Sequence, residues 1–170
     1  MSLSRKLFIG FGLILALLGL YVLSAGRIVL NATNSLNGNA YAMVEWPKVA
    51  PRGAVVALEL PEALRAQFGD EPFYLTKRVA GVAGDPVRSN ERELCINARC
   101  VTAQVRNGQA VAQIWQGSEV PEGSILVLGD SADSLDSRYA VIGPRPVSEI
   151  VAVGFAIPFP HWSELGEWLR

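Results

Sequence analysis

The feature that most constrains this chain is a long uncharged run near its N-terminus. Residues 7–25 read LFIGFGLILALLGLYVLSA and contain no charged side chain. A helix rises about 1.5 Å per residue, so this run would span roughly 28 Å, close to the hydrocarbon thickness of a bilayer. The run therefore predicts a helix that crosses a membrane and keeps the chain attached to it.

Two interpretations of this run compete, a retained anchor and a cleaved secretory signal. The apolar region of a signal is usually roughly 7–15 residues long, and only a weak small-residue cleavage site ends this run. Length therefore favours a retained single-pass anchor. Arg5 and Lys6 precede it and Arg27 follows it. Because the more positive flank stays in the cytoplasm, residues 1–6 are predicted to be cytoplasmic and residues 28–170 to lie outside.

Beyond the anchor, short apolar or alternating runs separated by Gly, Pro, Asn and Asp predict a mainly β domain. Such runs are typical of an antiparallel sheet or a partly closed barrel. A brief helix is predicted at residues 61–69, where Pro lies near the start and Gly at the end. The final residues, 161–170, are also compatible with a helix. The predicted strands are YAMVEW (41–46), AVVALEL (54–60), FYLTKRVAGV (73–82), ELCINARCVTAQV (93–105), QAVAQIW (109–115), SILVLGD (124–130) and IVAVGFAI (150–157).

Composition argues against several kinds of partner. The net charge of −1 offers no basic field that would hold a nucleic acid. Two cysteines and one histidine are too few for a tetrahedral zinc site. No nucleic acid, metal or cofactor is therefore expected.

The two cysteines fall in the segment ELCINARCV, which reads as a hairpin with Asn97 and Ala98 at its turn. In that register Cys95 faces Cys100 at a non-hydrogen-bonded pair, where the Cα atoms are close together. That separation suits a disulfide, and the alternative is two free thiols. A disulfide fits an oxidising outer compartment, in agreement with the orientation that the charges predict.

The polar segment NATNSLNGNAY, residues 31–41, follows the anchor closely and carries Ser35 at its centre. One interpretation is an ordinary loop, and the other is a loop that presents a catalytic nucleophile near the bilayer. The only histidine, His161, lies far along the chain from every polar cluster, so a Ser-His-Asp triad is not expected. A nucleophilic Ser35 would therefore need another base.

Lysine can be that base where burial lowers its pKa towards neutrality, because desolvation disfavours the ammonium form. In the predicted strand FYLTKRVAGV, period-2 alternation places Lys77 on the same face as Phe73, Leu75 and Val79. Arg78 points to the other face and is interpreted as an ordinary solvated cation. The alternative for Lys77 is a sheet edge with its ammonium group in water, and this segment alone leaves both open.

A third polar cluster, residues 130–138, follows the apolar strand that ends at Gly129. It contains three serines, three aspartates and one arginine. Such density is common in turns, where Ser and Asp bond to their own backbone. Asp136 and Arg138 are close enough in sequence to pair, and Ser134 could then bond to a nearby lysine. Three such segments in this order behind an anchor are stronger evidence of a catalytic site than any one of them alone.

Together the three segments resemble those of membrane-anchored Ser/Lys signal peptidases. They are most similar to the conjugative-transfer type, often called TraF-like peptidases. KRVAGVAGDPV is similar to the lysine segment of the family, and LGDSADSLDSRY followed by IGP is similar to its final box. NATNS is similar to the Asn-x-Thr-x-Ser of the conjugative type. The resemblance spans nearly the whole chain and implies a β-rich peptidase domain, as the strand pattern also does.

The resemblance implies a role for each candidate residue. Ser35 would be the nucleophile and Lys77 the general base. The Thr33 hydroxyl would complete the oxyanion hole beside the Ser35 N–H. Ser134 would orient the lysine, and the ion pair of Asp136 with Arg138 would hold the final loop.

Three positions depart from the family pattern. Asn37 stands where Pro is frequent, Gly38 lies one residue before the usual Gly position at Asn39, and Ala83 replaces the Pro of a Pro-Gly-Asp sequence. None of these changes removes a reacting group. They affect the expected loop shape and substrate preference.

The resemblance implies a serine endopeptidase of the bacterial cytoplasmic membrane with its catalytic domain on the periplasmic side. The expected partners are lipid and membrane-tethered precursors that carry a signal peptide or resemble pilins. Conjugative-type relatives imply that the substrate's own amine can replace water, which would give a cyclic pilin, and the sequence leaves both outcomes open. The main alternative is a catalytically inactive β-domain that scaffolds a secretion or conjugation assembly. Two further alternatives are less consistent with the sequence. A self-cleaving Ser/Lys repressor would need a DNA-binding domain, whereas this chain has a predicted membrane anchor. A disulfide-bonded binding module would leave the order of the serine, lysine and Ser/Asp segments as a coincidence.

Overall fold

The computed structural model of this chain describes residues 3–30, 35–38, 40–68 and 73–157. Helix α1 spans Leu3–Ala25 and helix α2 spans Glu62–Phe68. A short 3₁₀ turn covers Val147–Glu149. The strands are β1 (Gly26–Leu30), β2 (Ala40–Val44), β3 (Val55–Glu59), β4 (Tyr74–Val82), β5 (Val87–Ser89), β6 (Glu93–Ile96), β7 (Arg99–Thr102), β8 (Val105–Arg106), β9 (Gln109–Ala110), β10 (Ser124–Leu128), β11 (Arg145–Pro146) and β12 (Ile150–Ile157).

Helix α1 contains the apolar run that the sequence singles out. Its window Ser4–Tyr21 has a mean hydropathy of 1.5, and none of that window is buried inside the protein. A helix of this length, apolar on all sides and uncovered by protein, is suited to a lipid environment. It therefore fits a membrane-anchored protein.

The main sheet has seven strands in the order β1-β2-β12-β3-β4-β10-β11, and neighbouring strands are antiparallel. Strands β5, β6 and β7 form a second sheet, and β8 and β9 form a hairpin. The sequence prediction of a mainly β, antiparallel fold with few helices behind one N-terminal helix is confirmed. The main sheet stays open within the described residues, since β1 and β11 are its outer strands.

Strand β10 lies between two hydrophobic cores. Ile125 and Val127 pack into a cluster with β3, β4, β12 and α2, whereas Leu126 and Leu128 pack into a cluster with the second sheet. An apolar run without alternation is what a strand covered on both faces requires. Because β10 is fixed on both sides, the polar loop that follows it starts from a rigid position.

Strand β4 follows the predicted alternation over most of its length. Leu75, Lys77 and Val79 are all buried on one face. Phe73 precedes the strand and is 50% exposed, so its predicted place on the buried face is wrong. The β10–β4 register shifts between Leu126 and Val127, a bulge of the kind that often redirects side chains next to functional sites.

Other local predictions have mixed outcomes. Helix 61–69 is confirmed, as α2. The predicted strand 109–115 is reduced to β9, because Ile114 turns into the core and the backbone there bonds to loops, as in Trp115 N–H to the Arg138 carbonyl at 2.9 Å. Strand β1 was missing from the predicted set and pairs with β2. Residues 161–170 lie outside the described part of the chain.

The cysteine hairpin matches its prediction. Cys95 of β6 lies opposite Cys100 of β7, and the two sulfurs form a disulfide. Asn97 takes a positive φ of 54° at the turn, a conformation that Asn adopts more readily than most residues. The described residues hold no free cysteine.

Candidate active site

Ser35 lies in a short turn, residues 35–38, that precedes β2. Its neighbour Leu36 is buried in a core cluster with Tyr41 and Met43 of β2. The Tyr41 hydroxyl also accepts a hydrogen bond from the Gly38 N–H and donates one to the Gly38 carbonyl. An apolar anchor on one side and a tyrosine at the end hold this polar turn against the sheet.

The turn is also joined to the loop after β10. The Asp130 N–H donates to the Ser35 carbonyl at 2.7 Å, and the Asn37 N–H donates to Asp130 Oδ2 at 3.1 Å. These two bonds link segments that are far apart in sequence. The structure therefore brings the serine segment and the final polar cluster into direct contact.

Arg78 fixes Asp130 from β4. Its Nη2 and Nε lie 3.1 and 3.3 Å from the two carboxylate oxygens, and its Nη1 donates to the Gly53 carbonyl. Burial alone would raise the pKa of Asp130, but the bonds from Arg78 and Asn37 outweigh it and lower the pKa. The interpretation of Arg78 as an ordinary solvated cation is wrong, because the carboxylate that partners it lies on a neighbouring loop.

Lys77 is buried, with only 5% of the residue exposed. Burial lowers its pKa to about 8, while the negative charge of Asp136 opposes this shift. The alternative of a sheet edge does not apply, because β4 lies between β3 and β10. A lysine with such a pKa is partly neutral near physiological pH and can accept a proton.

Gly129 connects the three segments. Its N–H donates to Asp136 Oδ2 at 2.8 Å. A Cβ at this position would lie 2.1 Å from Ser134 Oγ and 2.7 Å from the Ser35 carbonyl oxygen. Leu128, the residue before Gly129, pairs with Arg78, the residue after Lys77. The missing side chain thus lets Ser134 and the Ser35 backbone approach the end of β10.

The predicted pair of Asp136 and Arg138 is a buried, two-point ion pair. The Arg138 Nε and Nη2 each lie 2.8 Å from one carboxylate oxygen, and the arginine is only 2% exposed. Arg138 Nη1 also donates to the carbonyls of Thr102 and Ala132. This pair closes the polar loop onto the second sheet, since one guanidinium bonds to both.

Ser134 is buried at 3% exposure, and its Oγ has no hydrogen-bond partner among the described residues. A buried hydroxyl without a partner is uncommon, and functional sites are one place where it occurs. Its Oγ lies close to Gly129, the residue that follows β10.

One sequence candidate, Thr33, lies outside the described residues, as does His161, for which no catalytic role is expected. Arg78, Asp130, Gly129 and Tyr41 were not among the predicted site residues. The sequence carries a weak signal for Gly129 and Asp130, because they directly follow an apolar strand, a position where functional residues are common. Nothing local marks Tyr41, whose contact is set by the turn.

The described part of the chain contains one group with the spacing of metal ligands, formed by Glu93, Cys95 and Cys100. Both sulfurs belong to the disulfide, so they cannot be the thiolates that a zinc site uses. The group therefore supports no metal site.

The chain has a mainly β domain behind one apolar helix, and the sequence comparison that follows supports a serine-type peptidase. The chain belongs to the signal peptidase family, peptidase S26, whose sequence model matches residues 2–159. It is similar to a signal peptidase I from Enterococcus faecalis V583, known from a crystal structure. Identity is 24% with a TM-score of 0.39 over 62% of this chain and 96% of that chain. No curated protein matches at comparable significance.

Proposed function

We propose that this chain cleaves signal-peptide-bearing precursors with Ser35 as the nucleophile and Lys77 as the general base. The observation that carries this proposal is the burial of Lys77, which lowers its pKa to about 8 beside the loop that holds Ser35. A lysine in water is protonated at neutral pH and cannot act as a base. A buried lysine with this pKa can.

In the proposed reaction neutral Lys77 takes the Ser35 hydroxyl proton as Oγ attacks the scissile carbonyl. The C–N bond then breaks, and the leaving amine takes that proton from the Lys77 ammonium. Water, activated by the lysine in turn, attacks the ester and releases Ser35. In each cycle Lys77 thus accepts a proton twice and gives it up twice, and no other base is needed.

The supporting roles are proposed from position and from the family resemblance. Ser134 would orient Lys77 during the reaction, since its buried Oγ has no hydrogen-bond partner among the described residues and lies close to Gly129 after β10. Asp136 and Arg138 would keep that loop closed through their buried ion pair. The Ser35 N–H would be one oxyanion donor, worth on the order of 10²–10³ in rate. The role of the Thr33 hydroxyl as the second donor rests on the family resemblance.

We also propose that the reaction takes place at a membrane surface, with residues 1–6 in the cytoplasm, residues 7–25 in the bilayer and residues 28–170 outside. Helix α1 ends at Ala25 and continues directly into β1. The Tyr21 hydroxyl near its end donates to the Trp46 carbonyl, and Trp46 is 70% exposed. Aromatic side chains of this kind favour the lipid–water interface. Enzyme and tethered substrate would share one plane, which raises their effective concentration.

The bacterial cytoplasmic membrane and its periplasmic side are the proposed location, in keeping with the disulfide. The proposed substrates include pilin-like precursors in conjugative transfer, from the similarity of NATNS and the final box to the conjugative type. With such substrates the acyl-enzyme could pass to the substrate's own amine and give a cyclic product. An inactive scaffold is the competing outcome in the experiment below.

The test uses the full-length protein in liposomes with a signal-peptide-bearing precursor. Ser35→Ala and Lys77→Ala should each abolish processing while the protein stays folded. The matched controls, Lys48→Ala and Ser118→Ala, change exposed residues and should process normally. Mass spectrometry of the product gives the cut site and separates linear from cyclic product. Processing that persists in Lys77→Ala contradicts the mechanism, and an unreactive wild-type protein points to the scaffold.

A further inference from the structure

We propose that Tyr41 is a positioning residue that fixes the turn bearing Ser35 for attack. This inference rests on the proposed role of Ser35 as the nucleophile. Tyr41 would act through the backbone of Gly38, to which its hydroxyl bonds.

The tyrosine hydroxyl makes two bonds to a single residue. It accepts from the Gly38 N–H at 2.9 Å and donates to the Gly38 carbonyl at 3.0 Å. A phenol has one proton to donate, and here that proton is directed at the turn. Two bonds to one peptide backbone fix both its distance and its orientation.

The contact also requires a glycine. A Cβ on residue 38 would lie 2.6 Å from the Tyr41 hydroxyl oxygen and 2.8 Å from the ring carbon that bears it. Such distances are too short for any side chain, and the ring is held in the core. The glycine that lies one residue earlier than the usual family position thus makes room for this hydroxyl.

Tyr41 is a rigid base for these bonds. It is fully buried, and its strand β2 is paired on both sides, with β1 and with β12. Burial raises the pKa of its phenol, so the group stays neutral and keeps the proton that it donates. The hydroxyl is therefore held in one place and in one protonation state.

The turn is then held at two ends. Asp130 binds the Ser35 carbonyl and the Asn37 N–H from one side, and Tyr41 holds Gly38 from the other. If the hydroxyl is removed, the first attachment stays and the turn can pivot about it. A displacement of about 1 Å at a reacting atom can lower a rate on the order of 10²-fold. We therefore expect a loss of rate that exceeds any loss of stability.

The experiment measures acylation of Ser35 by a serine-directed acylating inhibitor in full-length protein reconstituted in liposomes. Tyr41→Phe should lower the maximal acylation rate by roughly 10- to 100-fold. The inhibitor concentration for half-maximal rate should change little, and so should the pH midpoint, which reports Lys77. The matched control is Tyr139→Phe, which removes a buried hydroxyl that accepts from the Gln104 N–H at 2.9 Å; Tyr139 lies in the core cluster of the second sheet. It should acylate at the wild-type rate.

A double-variant comparison links the effect to the contact itself. Gly38→Ala should also slow acylation, because the new methyl group must displace the tyrosine or the turn. The pair Tyr41→Phe with Gly38→Ala should be no slower than the slower single variant, since both break the same contact. Tyr139→Phe with Gly38→Ala should be as slow as Gly38→Ala alone.

The outcomes separate this inference from the function on which it rests. If the wild-type protein is acylated at Ser35 and Tyr41→Phe reacts at the wild-type rate well below its melting temperature, the positioning role is wrong. A Tyr41→Phe variant whose slower rate is matched by Tyr139→Phe also contradicts it, because general loosening then explains both. If Ser35 of the wild-type protein is not acylated at all, the proposed function fails first.

Discussion

Arg78 Nη2 lies 3.1 Å from Asp130 Oδ2, and the same oxygen accepts the N–H of Asn37 at 3.1 Å. A residue adjacent to the proposed base thus holds the turn of the proposed nucleophile through one shared carboxylate. The Asp130 carboxylate therefore joins the serine turn to strand β4, which carries Lys77.

Replacing either partner of this pair should misplace Ser35. We expect Arg78→Met and Asp130→Asn each to slow acylation by roughly 10- to 100-fold. The double variant should be no slower than the slower single one, because both remove the same link. The control is Arg65→Met, whose partner Glu59 is 55% exposed in a surface pair that contributes at most about 1 kcal/mol. Acylation at the wild-type rate in Asp130→Asn would contradict this coupling.

Replacing the buried lysine by an apolar residue of similar length should stabilise the fold near neutral pH. The pKa of Lys77 is about 8 in the folded protein against an ordinary value of 10.5, so folding at pH 7 carries the cost of burying an ammonium group. That cost is at most roughly 3 kcal/mol. Lys77→Met should therefore unfold at higher denaturant concentration than wild type at pH 7, while losing all activity.

The stability advantage of Lys77→Met should depend on pH. A lysine whose folded pKa is depressed costs stability fully below the folded pKa, and the cost disappears as pH rises towards the unfolded value. The advantage of Lys77→Met should therefore shrink between about pH 8 and 10.5. Wild-type acylation should rise with pH through a midpoint near 8. A difference in the free energy of unfolding that stays constant from pH 7 to 10 would show that burial does not lower the pKa of Lys77.

Ser134 should matter more for the reaction than for the fold. Its Oγ has no hydrogen-bond partner among the described residues, so Ser134→Ala should change the free energy of unfolding by less than about 1 kcal/mol. If it orients Lys77, acylation should still slow markedly. Ser137→Ala is the matched control, because its Oγ accepts the Val127 N–H at 2.9 Å and its loss should cost roughly 1–3 kcal/mol. The proposed role is lost if Ser134→Ala reacts normally.

The disulfide should stabilise the hairpin without serving the reaction. It joins residues five apart in sequence, and closing so short a loop is worth about 2 kcal/mol. The double variant Cys95→Ala with Cys100→Ala should unfold more easily by about that amount and acylate normally. Thiol reductant should destabilise the wild-type protein and leave the variant unchanged. Loss of acylation in the folded variant would mean that the hairpin contributes to the site.

Much of the fold could be predicted from local sequence patterns. The apolar helix, the face that Lys77 shares with Leu75 and Val79, and the facing cysteines depend on periodicities of one helix, one strand and one hairpin, which neighbouring residues determine. Whether Lys77 is buried or at a sheet edge was left open by its strand and depends on how β4 pairs. The strand predicted at 109–115 was mostly wrong, because its apolar residues serve a core contact and its backbone bonds to loops. Apolar content alone does not separate these two cases.

The residues that bring the site together depend on contacts between distant segments. The charge of Arg78 was visible in the sequence, but its partner Asp130 is 52 residues away, and Asn37 bonds to that same carboxylate across 93 residues. No local pattern encodes such pairs, since they form only when β4 and β10 pair and the serine turn contacts the loop after β10. The sequence by itself determined which residues have the chemistry. The tertiary structure decided which of them hold Ser35 next to the loop beside Lys77, because that depends on how the strands pair.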